Sequence, residues 1–352
     1  MTTCQTEEAP VAATSDAKVQ GHASAWRWAL SIPLAAALLY YSLHGVDWSG
    51  IWKIIAAARW GYIVAGAATS AGNFWVRSLR WRVLLNAEAR LSIGLVFRAN
   101  MAGYLGNNFL PARAGEVIRS LIVSAHSSLS KTYALTTALS ERLMDVIALV
   151  LGGSLVLLGV HPKPEWMDRL SRSMAVVASM GALAVAILPH TGDWLRRRLQ
   201  RMPLPAALRA RLLPLAEQIL LGLRAFHHWG RFGGFALLTV MIWTLDALIV
   251  MVTSHAFGMN ISFAVAMLLL TGLGLGSALP STPGYVGIYQ FVAVTVLTPF
   301  GITRDGALAF IMVSQAVNYL VTLILGLPSL PLLRKAWPAA RTPRRAGSSS
   351  QF

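Results

Sequence analysis

Apolar runs long enough to cross a bilayer recur along this chain from residue 26 to residue 333, and they restrict its fold more than any other feature. A hydrocarbon core about 30 Å thick needs roughly 20 apolar residues per helical crossing, with every backbone amide satisfied inside the segment. The windows fall at 26–43, 60–79, 133–160, 174–188, 232–257 and 306–333. Two further apolar stretches, 93–110 and 263–300, are interrupted by Pro and Gly. The pattern predicts an all-α fold: a polytopic transmembrane helix bundle of about six to eight spans.

Composition agrees. Of 352 residues, 55% are hydrophobic and 12% charged, with mean hydropathy +0.57, values that exclude an ordinary soluble domain. One transmembrane domain is expected over 26–335, flanked by a disordered cytoplasmic tail at 1–25 and a disordered basic cytoplasmic tail at 336–352. A net charge of +16 raises the question of nucleic acid, but no recognition module is present. The basic residues lie between spans, where they signal the cytoplasmic face and contact anionic headgroups. Cys4 is the single cysteine, so intrachain disulfides and thiolate metal sites are excluded. The eight His are scattered, and the pair His227-His228 lacks the spacing of a helical metal site. Neither a P-loop nor a G-x-S-x-G motif occurs, and no cofactor is predicted.

Arg and Lys in short loops set the orientation. Three basic segments stand out: Arg77 to Arg98, Arg196 to Arg231, and Arg334 to Arg345. If all three are cytoplasmic, both termini are too, and 98–113 begins and ends inside. That stretch is too short to cross twice, so a re-entrant hairpin is predicted. Irregular backbone at such depth persists only inside protein or along a wet cavity. The stretch 263–300 begins and ends outside, as two spans or a second re-entrant pair.

The two broken stretches match. Gly103 aligns with Gly272, Leu110-Pro111 with Leu279-Pro280, Gly115 with Gly284 and Val117 with Val286, giving G-x6-L-P-x3-G-x-V. On the topology above they enter from opposite faces. Paired helix breaks in inverted repeats point to a transporter binding site near the midplane. Pro removes an amide donor and Gly relaxes the backbone, so a broken helix exposes backbone groups, and an exposed N-terminus suits a phosphate. The alternative is that Pro111, Pro280 and Pro283 only kink their helices. Asn107, Asn108, Arg113, Glu116 and Arg119 accompany Pro111 and favour function there. Each charge at bilayer depth costs roughly 2.5–3.5 kcal/mol on insertion scales and therefore has a use.

Other charged candidates follow. Glu141 and Asp145 are four apart and share a helical face, and Arg142 lies three before Asp145 and can pair with it. They form either a structural clamp, with Arg113 or Arg119 as the other half, or a proton or headgroup site. Asp246 has apolar neighbours and no local basic partner, which leaves a hydrogen bond to another helix or proton coupling. Gln315 and Asn318 read as interhelical glue. Arg77, Arg80 and Arg82 end the second window, as snorkelling anchors or, for Arg77 and Arg80, as phosphate ligands.

RSLRWRVLL, GNNFLPARAGEVIR, SERLMD and PSTPGYVGIYQ, in that order, resemble the membrane domain of lysylphosphatidylglycerol synthase and the flippase-like proteins that share it. The resemblance covers about 26–335, and its most specific part is carried by Asn108, Leu110, Pro111, Arg113, Gly115, Glu116 and Arg119. It implies translocation of a lipid. The soluble aminoacyl-transferase domain of the synthase is absent from these residues, so lysyltransferase activity is not expected. The second motif, with Gly284 and Gly287, ends in Gln290 where relatives often carry an acid.

The expected function is therefore to bind or flip an anionic or isoprenoid-type lipid across the inner membrane, with the partner a membrane phospholipid or isoprenoid-linked lipid. The alternatives are a membrane-embedded enzyme using Glu141 and Asp145 as acid and base, and a non-catalytic partner of a lipid biosynthesis enzyme.

Overall fold

The computed structural model describes residues 40, 43–44, 46–110, 114–159, 169, 172–184, 187, 226, 228–277 and 283–341. Among these, all regular structure is helical. The helices are α1 (Trp48–Ala56), α2 (Trp60–Leu85), α3 (Ile93–Phe109), α4 (Gly115–Ala125), α5 (Lys131–Gly159) and α6 (Arg172–Ala184). They continue with α7 (Trp229–His255), α8 (Phe263–Gly276), α9 (Ile288–Leu297), α10 (Arg304–Gly326) and α11 (Leu330–Arg341). Nearly all of the apolar window 26–43 lies outside the described residues.

Lys131–Gly159, Trp229–His255 and Arg304–Ala336 are long and apolar enough to cross a membrane. The second window is longer than its apolar run suggests: α2 continues to Leu85, so Arg77 and Arg80 lie within a helix rather than at its end. The last window splits at a 3₁₀ turn, Leu327–Ser329, where Pro328 cannot continue the hydrogen-bond ladder.

Both broken stretches fold into helical hairpins. In the first, Ser92 caps α3 by accepting from the Leu95 amide, and α3 stops at Phe109. Leu110, held extended by the proline that follows it, ends the helix. The chain then returns as α4, antiparallel to α3, with Gly103 and Gly106 facing Gly115, Ile118 and Arg119. In the second, Ser262 caps α8, and α9 returns with Ile288 and Val292 against Gly272 and Gly276. A serine cap thus opens each hairpin, 11 residues before Gly103 in the first and 10 before Gly272 in the second. With 11 residues in α4 and 10 in α9, these arms are roughly 15–17 Å long, half a hydrocarbon core.

Gly115 is required by this packing. A Cβ there would lie 1.9 Å from the Gly103 carbonyl oxygen. Close backbone approach through small residues is how helices associate in lipid, where apolar burial offers little drive.

The hairpins sit in separate apolar clusters. Trp81, Leu84, Ile122, Tyr133 and Phe235 surround the first, and Ala247, Leu269, Leu297 and Phe310 surround the second. α2 lies along α7, and α10 touches both hairpins through α3 and α9.

Candidate functional site: an ionic ring behind a two-hairpin cavity

Six ion pairs close into a ring of alternating charge. Arg80 bonds Glu141 (2.9 Å), Glu141 bonds Arg119 (2.8 Å) and Arg119 bonds Glu116 (2.5 Å). Glu116 bonds Arg142 (2.8 Å), Arg142 faces Asp145 at 3.6 Å, and Asp145 returns to Arg80 at 2.6 Å. Every member therefore has two neighbours of opposite sign. That matters because a buried ion costs several kcal/mol to desolvate, and one partner seldom repays it. Arg80, Arg119 and Glu141 are 0%, 2% and 1% exposed.

Side-chain and backbone groups fill the remaining valences. Arg80 donates to Thr239, and Arg119 donates to Asn100 at 2.8 Å. Rings cover the guanidinium faces: Phe235 over Arg80, Trp81 over Arg119 and Tyr104 over Arg142. Helical spacing delivers the set, since Glu141, Arg142 and Asp145 occupy adjacent turns of α5 while Glu116 and Arg119 are three apart on α4. The ring ties the short arm of the first hairpin to α2 and α5.

A seventh pair stands apart. Arg77 on α2 bonds Asp246 on α7, and Asn73 donates to the other carboxylate oxygen at 2.6 Å. Asp246 therefore has the interhelical partner its sequence context required, supplied by a helix 169 residues away in the chain.

Arg77, Asp246 and the Glu116–Arg142–Asp145 side of the ring line one cavity of about 330 Å³. The first hairpin contributes Tyr104, Asn107 and Asn108; the second contributes Leu270, Leu273, Ser277, Tyr285 and Tyr289; α10 contributes Asn318 and Thr322. Asn108 donates to Thr322 at 2.7 Å, tying the first tip to α10. Farther along α10, Gln315 and Tyr319 both donate to the Gly284 carbonyl, and Gln315 accepts from Gln290 at 2.9 Å. The second tip is thus pinned to the same helix. Gly284, Tyr285 and Gly287 all have positive φ there, a geometry that only glycine adopts without strain.

The expected residues divide by position. Arg77, Asn107, Asn108, Glu116, Arg142, Asp145 and Asp246 face the cavity. Arg80, Arg119 and Glu141 form the part of the ring behind its wall. Gly115 is at the hairpin crossing, while Gly284, Gly287 and Gln290 build the second tip. Pro111, Arg113 and Pro280 lie outside the described residues, and of Pro283 only the backbone, in a 3₁₀ turn, is described.

Two expectations change. Arg77 and Arg80 are not snorkelling anchors: α2 runs past them, and both side chains point into the bundle onto carboxylates. Nor do the broken-helix N-termini stand fully open for an anion. The Gly115 amide is taken by the Asn107 side chain at 2.9 Å, and the Gly287 amide by Gln290 at 2.7 Å.

Sequence reasoning missed Asn73, Tyr104, Trp243, Tyr285 and Tyr289 on the cavity wall. A signal existed for the first. Ser70, Asn73, Arg77 and Arg80 recur at helical spacing and mark one polar stripe down α2. The tyrosines carry no such signal, because aromatics are common near span ends.

Residues 28–326 match the family described as lysylphosphatidylglycerol synthase TM region. The chain is 24% identical over 318 residues to a protein named UPF0104 membrane protein from Methanothermobacter thermautotrophicus, covering 85% of this chain and 90% of that one. It is 25% identical over 320 residues to a protein named Glycosyltransferase AglD from Haloferax volcanii, covering 81% of this chain and 51% of the relative, about half its length. The matched residues take in both hairpins, the ring and the cavity, and the chain belongs to the lysylphosphatidylglycerol synthase TM region family of all-α membrane proteins.

Proposed function

We propose that this protein takes the headgroup of an anionic or isoprenoid-linked lipid into the cavity between its hairpins and carries it across the cytoplasmic membrane. The observation that carries the reading is the cavity wall itself: Arg77 and Arg142, two cations for a phosphate, stand between the tips of two inverted hairpins. The wall is amphipathic, with Phe74, Val146, Leu149 and Leu270 beside the charges, as a lipid's glycerol or isoprenoid junction requires. A volume of about 330 Å³ suits a headgroup and leaves the chains in the bilayer. The basic loops support an orientation with both termini in the cytoplasm.

The enzymatic alternative needs Glu141 and Asp145 as acid and base. Glu141 is 1% exposed, holds two arginines and is not on the cavity wall, which favours transport.

The test is movement of fluorescent phosphatidylglycerol in proteoliposomes, read by quencher access. The wild type moves lipid, and Arg142→Ala slows it at least tenfold while retaining the folded, monodisperse state. Arg142 is the variant of choice because Glu116 keeps Arg119 and Asp145 keeps Arg80 when it is removed. Equal rates with wild-type and Arg142→Ala protein would overturn the assignment.

A further inference from the structure

Charge bookkeeping around the cavity distinguishes the Arg77–Asp246 pair from the ring. The ring holds three arginines and three acids, the detached pair adds one of each, and the whole is balanced. An anionic headgroup entering this site adds an uncompensated negative charge, which a poorly hydrated interior accepts only at high cost. A phosphate drawing on Arg142 leaves each of that residue's acids with a second arginine. A phosphate drawing on Arg77 leaves Asp246 with no other paired cation among the described residues, only the Asn73 amide.

Asn73 supplies an independent observation. It is 3% exposed, its amide nitrogen donates to Asp246, and its carbonyl oxygen Oδ1 is buried without a hydrogen-bond partner. A carboxylate cannot donate to that oxygen, whereas a carboxylic acid can. Protonated Asp246 would pair with Asn73 through two bonds, N–H to carboxyl oxygen and O–H to Oδ1.

Resting on the headgroup site proposed above, we infer that the protein is proton-linked: the phosphate takes Arg77 from Asp246, and Asp246 takes up one proton from water and closes onto Asn73. The stoichiometry is one proton per negative charge bound. The charged groups facing Asp246 are Arg77 on α2 and Asp145 on α5. α8 carries no charged residue, and α10 faces the cavity with Asn318 and Thr322. Tyr104, Tyr285 and Tyr289 are the other titratable groups on the wall besides Glu116 and Arg142.

The experiment is the affinity of the detergent-purified full chain for dihexanoylphosphatidylglycerol across pH 5 to 9. The phosphodiester of this probe keeps its single negative charge throughout, so any pH dependence belongs to the protein. One linked proton makes the affinity fall about tenfold per pH unit once free Asp246 is ionised. Asp246→Asn abolishes that slope, and Asn73→Leu, which leaves the Arg77–Asp246 pair in place but removes the acceptor for the protonated acid, makes the slope end at lower pH. Wild-type affinity that is flat with pH, or an unchanged slope in Asp246→Asn, overturns the proton link and leaves the headgroup site standing. Should Asp246→Asn fail to fold, a slope that ends at the wild-type pH in Asn73→Leu overturns it. Absence of binding at every pH overturns the headgroup site and this inference together.

Discussion

Glu116 on α4 and Arg142 on α5 meet at 2.8 Å on the wall of the cavity, which makes the short arm of the first hairpin a member of an ionic ring rather than a free-standing loop. The half-span α4 is held by charge as much as by packing. Its partner α9 has no counterpart to this ring and is held through amides and a tyrosine hydroxyl.

Breaking the ring at its most buried acid is expected to be costly. Glu141→Gln leaves Arg80 and Arg119 with one carboxylate each in the interior, and a loss of about 3–5 kcal/mol is the usual scale for such a break. Thermal unfolding in detergent should show a large drop for Glu141→Gln and a smaller one for Arg142→Ala, whose side chain is 27% exposed. Equal melting temperatures for Glu141→Gln and wild type would contradict the ring's structural role.

Closure of the first hairpin depends on the absence of one methyl group. In Gly115→Ala the new carbon overlaps the Gly103 carbonyl, so α3 and α4 must separate, at a cost of about 1–3 kcal/mol or more. Gly94→Ala, with nothing within 4 Å of its added carbon, serves as the matched control. Size-exclusion profiles should show reduced monodisperse protein for the first and none of that loss for the second.

The second tip should loosen locally when its anchor is trimmed. Tyr319→Phe removes one of two donors to the Gly284 carbonyl and leaves Gln315, so about 1 kcal/mol is lost. Amide exchange at Gly287 and Ile288 should accelerate several-fold with little change in global melting. Unaltered exchange would mean that Gln315 alone holds the turn.

Asn108 and Thr322 join the first tip to α10 at 2.7 Å. A double-mutant cycle with Asn108→Ala and Thr322→Val should give a coupling of about 0.6 kcal/mol, the average for hydrogen bonds between membrane helices. A coupling of zero would remove this link between the tips.

Much of the architecture is legible in the chain because its causes are local or periodic. α5 and α7 follow from apolar runs, the hairpin breaks from Pro and Gly, and the repeat from aligned motifs. The pairing of Arg142 with Asp145 follows from spacing on one helix. Of the two readings open for Arg77 and Arg80, the interface anchor arose because a window average ends a span where charges begin, although α2 continues for another turn beyond them. Asp246 showed that it needed a partner but not which one, since Arg77 is far away in sequence and reaches it only through the packing of α2 on α7.

Sequence by itself determined that this is a helical membrane protein with two proline-broken, glycine-lined segments and a set of charges too expensive to be idle, because insertion cost and backbone chemistry act residue by residue. Only the tertiary structure decided that six of those charges close into a ring, that a seventh and eighth stand apart beside an unpaired Asn73 oxygen, and that both hairpin tips hang from α10. Those relationships depend on which helix faces register across the bundle. Coulomb attraction and hydrogen bonding choose among the possible partners only after packing has brought them within reach.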